Sequence, residues 1–114
     1  MLKKILMENE DLLVVNKPAS IPCYRCGMYK HNSLLDLIKL NYPKYESLKL
    51  SPVHRLDRAV SGVILLAKSS HFAAEFEKKL KNNQVRKYYL ARVVGQLERF
   101  VHTFCTYISA FFLT

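Results

Sequence analysis

Residues 54–68 read HRLDRAVSGVILLAK, in which a cluster of ionisable side chains is followed by an unbroken aliphatic run. The aliphatic part, Val63 to Ala67, is typical of a β-strand that is buried on both faces. Gly62 precedes this run, and Lys68 closes it. We therefore expect a buried strand at 63–67, with a polar segment directly before it.

The segments around this stretch alternate between strand-like and helix-like patterns. Two β-rich runs separated by a short turn predict a hairpin, and a Ser-x-x-Asp pattern predicts a capped helix. In sequence order, we expect strands at 5–7 and 12–15, a loop at 19–32, a helix opened by Ser33 and stopped by Pro43, the strand at 63–67, a helix capped by Ser69 or Ser70, and a strand at 86–94. We expect the second helix to bury a stripe formed by Phe72, Ala73, Phe76 and Leu80. This order predicts an α+β fold with a mixed, largely antiparallel sheet and flanking helices.

The composition excludes several classes of protein. The 114 residues include 18 Lys and Arg against 9 Asp and Glu, a formal net charge of +9, and 50% of them are hydrophobic, so the chain is not a disordered tail. The positive charge indicates a polyanionic partner, with RNA or DNA favoured over a membrane, because cations release the counterions of phosphates. We expect no secretory signal and no membrane span. Three cysteines favour a reducing compartment inside the cell. We favour the cytoplasm, with the nucleus and the mitochondrion as alternatives.

The polar segment 54–58 is the candidate for chemistry. His54, Arg55, Asp57 and Arg58 place four ionisable side chains in five positions. A carboxylate between two guanidinium groups is expected to stay ionised at neutral pH, which makes Asp57 a candidate nucleophile or base. The alternative is that Asp57 and an arginine form an ordinary ion pair that holds the entrance to the strand. His54 is equally consistent with a packed, hydrogen-bonded residue.

These motifs resemble a known family. HRLD at 54–57, followed by Ser61-Gly62 and an aliphatic strand, resembles the active-site signature of the RluA-type RNA pseudouridine synthases. DLLVVNKP at 11–18 is similar to that family's opening strand and Lys-Pro turn, although Ser20 stands where the family commonly has glycine. KYYLA at 87–91 is similar to its Lys-x-Tyr-Leu-Ala strand, and the loop at 27–32 is similar to a eukaryotic branch that modifies transfer RNA.

The resemblance implies the isomerisation of uridine to pseudouridine in transfer RNA or ribosomal RNA, without a cofactor or a metal. It assigns the catalytic carboxylate to Asp57, which attacks the sugar or removes a sugar proton. Arg55 would help to open the site, and Tyr89 would pack on the target base. The predicted RNA contacts are Arg58, Lys17, Lys78, Lys79 and Lys87.

The same resemblance predicts the organisation of the chain. Residues 1–97 correspond to the N-terminal half of the family's catalytic domain, and residues 98–114 form an atypical apolar tail. We expect a monomer. One alternative is a truncated RNA-binding fragment without activity, in which the lysines contact phosphates only. A second is a zinc module in which a Cys-x-x-Cys pair joins a distant histidine and a third cysteine, the four ligands being Cys23, Cys26, His102 and Cys105.

Overall fold

The computed structural model describes residues 5–25, 27, 32–91 and 109–112. The chain divides into two compact units, Met1–Lys78 and Lys79–Thr114. The elements, in chain order, are β1 (Ile5–Glu8), β2 (Leu12–Lys17), α1 (Leu34–Asn41), a short 3-10 helix (Pro43–Tyr45), β3 (Ser51–Pro52), β4 (Gly62–Ala67), α2 (Ser70–Lys81), β5 (Tyr88–Ala91) and β6 (Ser109–Phe112).

The first unit contains a four-stranded sheet in the order β1-β2-β4-β3. All three strand pairs are antiparallel. The predicted hairpin of β1 and β2 is confirmed, and the side chain of Asn9 closes its turn by accepting hydrogen bonds from the N–H groups of Asp11 and Leu12 at 3.0 and 2.8 Å. The predicted α+β fold with a largely antiparallel sheet is confirmed.

The core lies on one face of this sheet. In the β2–β4 register, Val15 is opposite Ile64 and Leu13 is opposite Leu66, and all four side chains are fully buried. Leu34 and Ile38 of α1 and Tyr45 of the 3-10 helix complete the cluster. Because side chains alternate along a strand, each strand sends every second residue into this core. Each large aliphatic side chain buried there stabilises the fold by about 1.5–3 kcal/mol.

The other face of β4 is less covered than the aliphatic run suggests. Val63 is 52% exposed and lies opposite the exposed Asn16. The prediction that this strand is buried on both faces is therefore wrong at its first residues. The reason is that β4 belongs to an antiparallel sheet, in which only one face must pack against other elements.

The beginning of α1 follows the predicted capping pattern. The backbone N–H of Asp36 donates to the Ser33 hydroxyl at 3.3 Å, and the Asp36 carboxylate accepts from the Ser33 N–H at 3.1 Å. These two bonds form a capping box, which satisfies N–H groups that the helix itself cannot pair. Arg25 donates from Nε to the same carboxylate at 2.9 Å and so fastens the preceding loop to the helix.

Glu8 connects three elements of the first unit. Its carboxylate accepts hydrogen bonds from the Lys44 ammonium at 2.9 Å, the Tyr45 hydroxyl at 2.7 Å and the Lys68 ammonium at 2.7 Å. These donors, the Lys68 ammonium first, lower the pKa of Glu8 to about 2. The end of β1 is thereby tied to the 3-10 helix and to the end of β4.

The helix α2 begins at the predicted cap, because the N–H of Phe72 donates to the Ser69 hydroxyl at 3.2 Å. Its predicted stripe is half-buried, whereas the charged residues 77–79 and 81 are exposed. In the second unit, β5 and β6 form a parallel pair with Tyr89 opposite Ala110. β5 lies within the predicted strand range of 86–94, of which residues 92–94 are outside the described part of the chain.

Candidate functional site

The polar segment forms a loop between β3 and β4. Directly after β3, the Val53 N–H donates to the Leu65 carbonyl at 3.1 Å. The next residue, His54, contacts β4 through its side chain, since its Nε2 accepts a hydrogen bond from the Leu65 N–H at 3.3 Å. Nε2 is therefore the unprotonated nitrogen, and His54 holds the loop against β4 as a hydrogen-bonded structural residue.

The residues on both sides of Asp57 are anchored to the segment that follows β2. The Arg58 carbonyl accepts from the Ser20 N–H at 2.7 Å and from the Lys17 ammonium at 3.2 Å. On the other side, the Cys23 thiol donates to the Leu56 carbonyl at 3.3 Å, and the Leu56 N–H donates to the same sulfur at 3.5 Å. Hydrogen bonds with residues 17–23 thus hold the backbone around Asp57 in place.

Lys17 lies in the interior and not on an RNA-facing surface. Its side chain is fully buried, and its ammonium donates to the carbonyls of Pro18, Ile21 and Arg58 at 3.0, 2.8 and 3.2 Å. All three ammonium donors are therefore used within the protein. Burial lowers the pKa of Lys17, and the negative charge of Asp57 acts in the opposite direction.

This placement corrects the prediction that Lys17 is an RNA contact. The sequence pattern itself indicates that Lys17 is buried, because the period of two along β2 puts Lys17 on the same face as Leu13 and Val15. A buried ammonium needs several acceptors to offset its lost hydration, and three backbone carbonyls supply them here.

Arg55 and Asp57 lie side by side and open to solvent. The distance between Nη2 of Arg55 and Oδ1 of Asp57 is 4.0 Å, and their side chains are 75% and 79% exposed. An ion pair this long and this exposed stabilises the fold little. The geometry therefore disfavours the alternative in which this pair holds the strand entrance, since Lys17 and Cys23 do so. Both side chains, and the exposed Arg58 beside them, are accessible to a ligand.

Tyr24 is a residue of this site that the sequence did not single out. It follows Cys23 directly and is 41% exposed. Partial burial raises the pKa of its hydroxyl, and the nearby Arg55 guanidinium acts to lower it. No motif marks this position, because its nearness to Arg55 depends on the contact between Cys23 and Leu56.

Comparison with known proteins identifies the family of this chain. A family model described as RNA pseudouridylate synthase matches residues 11–110, which include the loop with Asp57. The chain belongs to the RNA pseudouridylate synthase family. It is 37% identical over 93 residues to human pseudouridylate synthase RPUSD2, a match that covers 82% of this chain. It is 37% identical over 99 residues to the tRNA pseudouridine(31) synthase of Saccharomyces cerevisiae, a match that covers 87% of this chain.

The fold agrees with that of a solved pseudouridylate synthase. Human RNA pseudouridylate synthase domain containing 4 matches with a TM-score of 0.55 and 27% identity, over 70% of this chain and 30% of that one. The chain spans 16% of the length of the human relative and 22% of the length of the yeast relative. It is therefore a partial representative of the pseudouridylate synthase domain.

The remaining predicted RNA contacts and Tyr89 lie away from this loop in the sequence. Lys78 is exposed on α2 in the first unit. Lys79, Lys87 and Tyr89 belong to the second unit, in which Tyr89 is half-buried on β5. Their roles beside Asp57 stay predictions.

The zinc alternative gains no support from the residues that the structure describes. Among these residues, no three His, Cys, Asp or Glu side chains gather into a possible metal site. Cys23 is buried, and its sulfur is engaged by Leu56. The other three residues of the suggested set, Cys26, His102 and Cys105, lie outside the described residues. Within the same part of the chain, no helix is long and apolar enough to span a membrane.

Proposed function

We propose that this chain carries the catalytic carboxylate of an enzyme that converts uridine to pseudouridine in transfer RNA or ribosomal RNA. The observation that carries the proposal is the position of Asp57, an exposed side chain on an anchored loop. Its side chain is 79% exposed, whereas the backbone on both sides of it is anchored by Lys17, Ser20 and Cys23. A catalytic group needs this combination, because it must reach the substrate and still be held in a fixed position.

The reaction rearranges one nucleotide and needs no second substrate. The bond from C1′ of the ribose to N1 of the uracil breaks, the uracil turns, and C5 bonds to C1′; C5 loses its proton and N1 gains one, so the product is an isomer of the substrate. Asp57 would either attack C1′ directly or remove a proton from the sugar. Either role requires an ionised carboxylate against the ribose of a nucleotide that has left the base stack.

The surrounding cations support binding of that nucleotide. Arg55 and Arg58 flank Asp57 and are exposed, so they can contact the phosphates on either side of the target. The net charge of +9 favours the same partner. In the proposed reaction, Arg55 also helps to keep the site open, and Tyr89 packs on the uracil, as the family resemblance implies.

The names of the relatives support the choice of substrate. The yeast relative is a tRNA pseudouridine(31) synthase, and a bacterial relative from Nitrosomonas europaea is a ribosomal large subunit pseudouridine synthase that is 30% identical over 97 residues. We propose that the enzyme acts inside the cell, with the cytoplasm favoured. A further yeast relative is described as a mitochondrial tRNA pseudouridine(32) synthase.

The test is a map of pseudouridine in cells whose own gene for this protein encodes Asp57→Asn. Carbodiimide modification followed by primer extension locates pseudouridine in transfer RNA and ribosomal RNA. We expect one or a few positions to lose it in the Asn variant. The matched control is Glu46→Gln, which neutralises an exposed carboxylate at the C-terminal end of the 3-10 helix and should leave every position modified. Retention of all sites in the Asn variant would refute the proposal.

The second candidate is an RNA-binding fragment without activity. It is favoured by the small share of the relatives that this chain spans, 16% for the human protein. On this reading, the Asp57→Asn map is unchanged while the purified chain binds RNA. We expect the isolated 114-residue chain to bind RNA without turnover in either case, so the cellular map distinguishes the two functions.

A further inference from the structure

We propose that Tyr24 is a stacking platform for an RNA base that neighbours the target uridine. The inference rests on the proposed function, since it assumes that a single-stranded RNA segment passes over Asp57. It adds a substrate contact outside the motifs that the family resemblance provides.

The position of Tyr24 is fixed by the contact that anchors the loop of Asp57. The sulfur of Cys23 exchanges two hydrogen bonds with the backbone of Leu56, at 3.3 and 3.5 Å. This pairing sets residues 23 and 56 side by side, so Tyr24 lies near Arg55, in the loop that also holds Asp57. The effect of the Arg55 charge on the Tyr24 hydroxyl agrees with this nearness.

The residues on both sides of Tyr24 are held by contacts, whereas the Tyr24 side chain is partly exposed to solvent. Cys23 is buried against Leu56, and Arg25 is bonded to the Asp36 carboxylate from Nε at 2.9 Å. The Tyr24 side chain nevertheless remains 41% exposed. A side chain whose backbone is held on both sides loses less conformational freedom when a ligand packs on it, which favours a preorganised contact.

Tyr24 is also chemically distinct from the rest of the site. Three exposed side chains of the adjoining loop, Arg55, Asp57 and Arg58, are charged. Of the aromatic residues that the structure describes in the first unit, Tyr24 is the one that is exposed. Aromatic rings beside cations are the typical surface for single-stranded RNA, because bases stack on the ring while the cations contact phosphates.

A fixed platform suits a neighbouring base better than the target. In the proposed function the target uracil packs on Tyr89 and turns during the reaction, which leaves the fixed platform of Tyr24 to a base that does not move. A neighbouring base stays in place, and stacking it on Tyr24 would hold the ribose of the target over Asp57. Every base has a π-face, so this contact tolerates different sequences.

The experiment measures RNA binding by the 114-residue chain. The probe is a single-stranded oligoribonucleotide with 2-aminopurine next to a uridine, whose fluorescence is quenched when it stacks. Kd is measured at several salt concentrations for the natural chain, Tyr24→Leu, Tyr24→Phe and Tyr24→Trp. The control is Leu40→Ala, at a side chain on α1 that is 78% exposed.

We expect Tyr24→Leu to weaken binding by at least about fivefold, the lower end of a base–aromatic stack, and to lose the quenching. The salt dependence of Kd should not change, because no charge is removed. Tyr24→Phe should bind within about twofold of the natural chain, and Leu40→Ala should bind as the natural chain does. Tyr24→Trp should bind at least as tightly, which gives a result that does not depend on a loss of folding.

Two results would overturn the inference. The first is a Tyr24→Leu variant with unchanged affinity and quenching. The second is a Tyr24→Phe or Tyr24→Trp variant that binds RNA as weakly as Tyr24→Leu. The hydroxyl group or the fit of the side chain, and not stacking on its π-face, would then account for the affinity. Either result leaves the proposed function standing if Asp57→Asn still abolishes pseudouridine in cells, so the two failures are distinguishable.

Discussion

Replacing Lys17 by methionine should destabilise the first unit strongly. Methionine keeps much of the length and volume of lysine but removes the ammonium. The substitution therefore deletes the three hydrogen bonds to the carbonyls of Pro18, Ile21 and Arg58 while leaving the aliphatic packing of β2 largely intact. Its effect isolates the contribution of a buried charge that has only neutral acceptors.

The magnitude follows from these three bonds. Hydrogen bonds to a charged group contribute about 1.5–3 kcal/mol each to the free energy of unfolding. The Arg58 carbonyl keeps the Ser20 N–H as a second donor, and Pro18 and Ile21 are only half-buried, so water can replace part of the loss. Relief from burying an ammonium offsets a further part. We expect a net loss of about 3 kcal/mol, a large fraction of the stability of a small domain.

The assay is urea unfolding followed by circular dichroism. With a slope of about 1.5 kcal/mol per molar urea, a loss of 3 kcal/mol lowers the midpoint by about 2 M. The control is Lys39→Met at an exposed position of α1, which should shift the midpoint by less than about 0.3 M. If Lys17→Met unfolds at the same urea concentration as the natural chain, the three carbonyl contacts do not stabilise this fold and the assigned role of Lys17 is wrong.

Three further outcomes are expected. Because the pKa of Glu8 is lowered to about 2 in the folded chain, its contribution to stability is complete above its ordinary pKa of 4.5 and is lost as the pH falls toward 2. Chemical unfolding at a series of pH values should show this decline in the natural chain, and Glu8→Gln should flatten it. Ser20 has a φ of 71°, a region that favours glycine, so Ser20→Gly should stabilise the chain by about 0.5–1 kcal/mol, and an unchanged or lower thermal midpoint would count against strain there. Arg58→Gln should reduce the slope of log affinity for single-stranded RNA against log salt by about 0.7, whereas an unchanged slope would mean that Arg58 contacts no phosphate.

Several features of this protein were determined by the sequence alone. The capping box of Ser33 and Asp36, the Asn9 turn and the strand patterns depend on residues within a few positions of each other, and the structure has them where the sequence predicts. The family was readable as well, because the segment with Arg55 and Asp57 is continuous in the chain. Such features are encoded by spacing and residue type, which need no knowledge of distant contacts.

The tertiary structure determined which distant segments of the chain meet at the loop of Asp57. Lys17 and Arg58 are 41 positions apart in the chain, and Cys23 and Leu56 are 33 apart. The pairing of β2 with β4 brings these segments together, which turns Lys17 from a predicted RNA contact into a buried anchor and sets Tyr24 beside Arg55. Local spacing carries no information about that pairing, because the burial of a side chain depends on what the rest of the chain packs against it. The sequence therefore predicts Asp57 as the catalytic carboxylate, whereas only the fold shows what holds its loop in place.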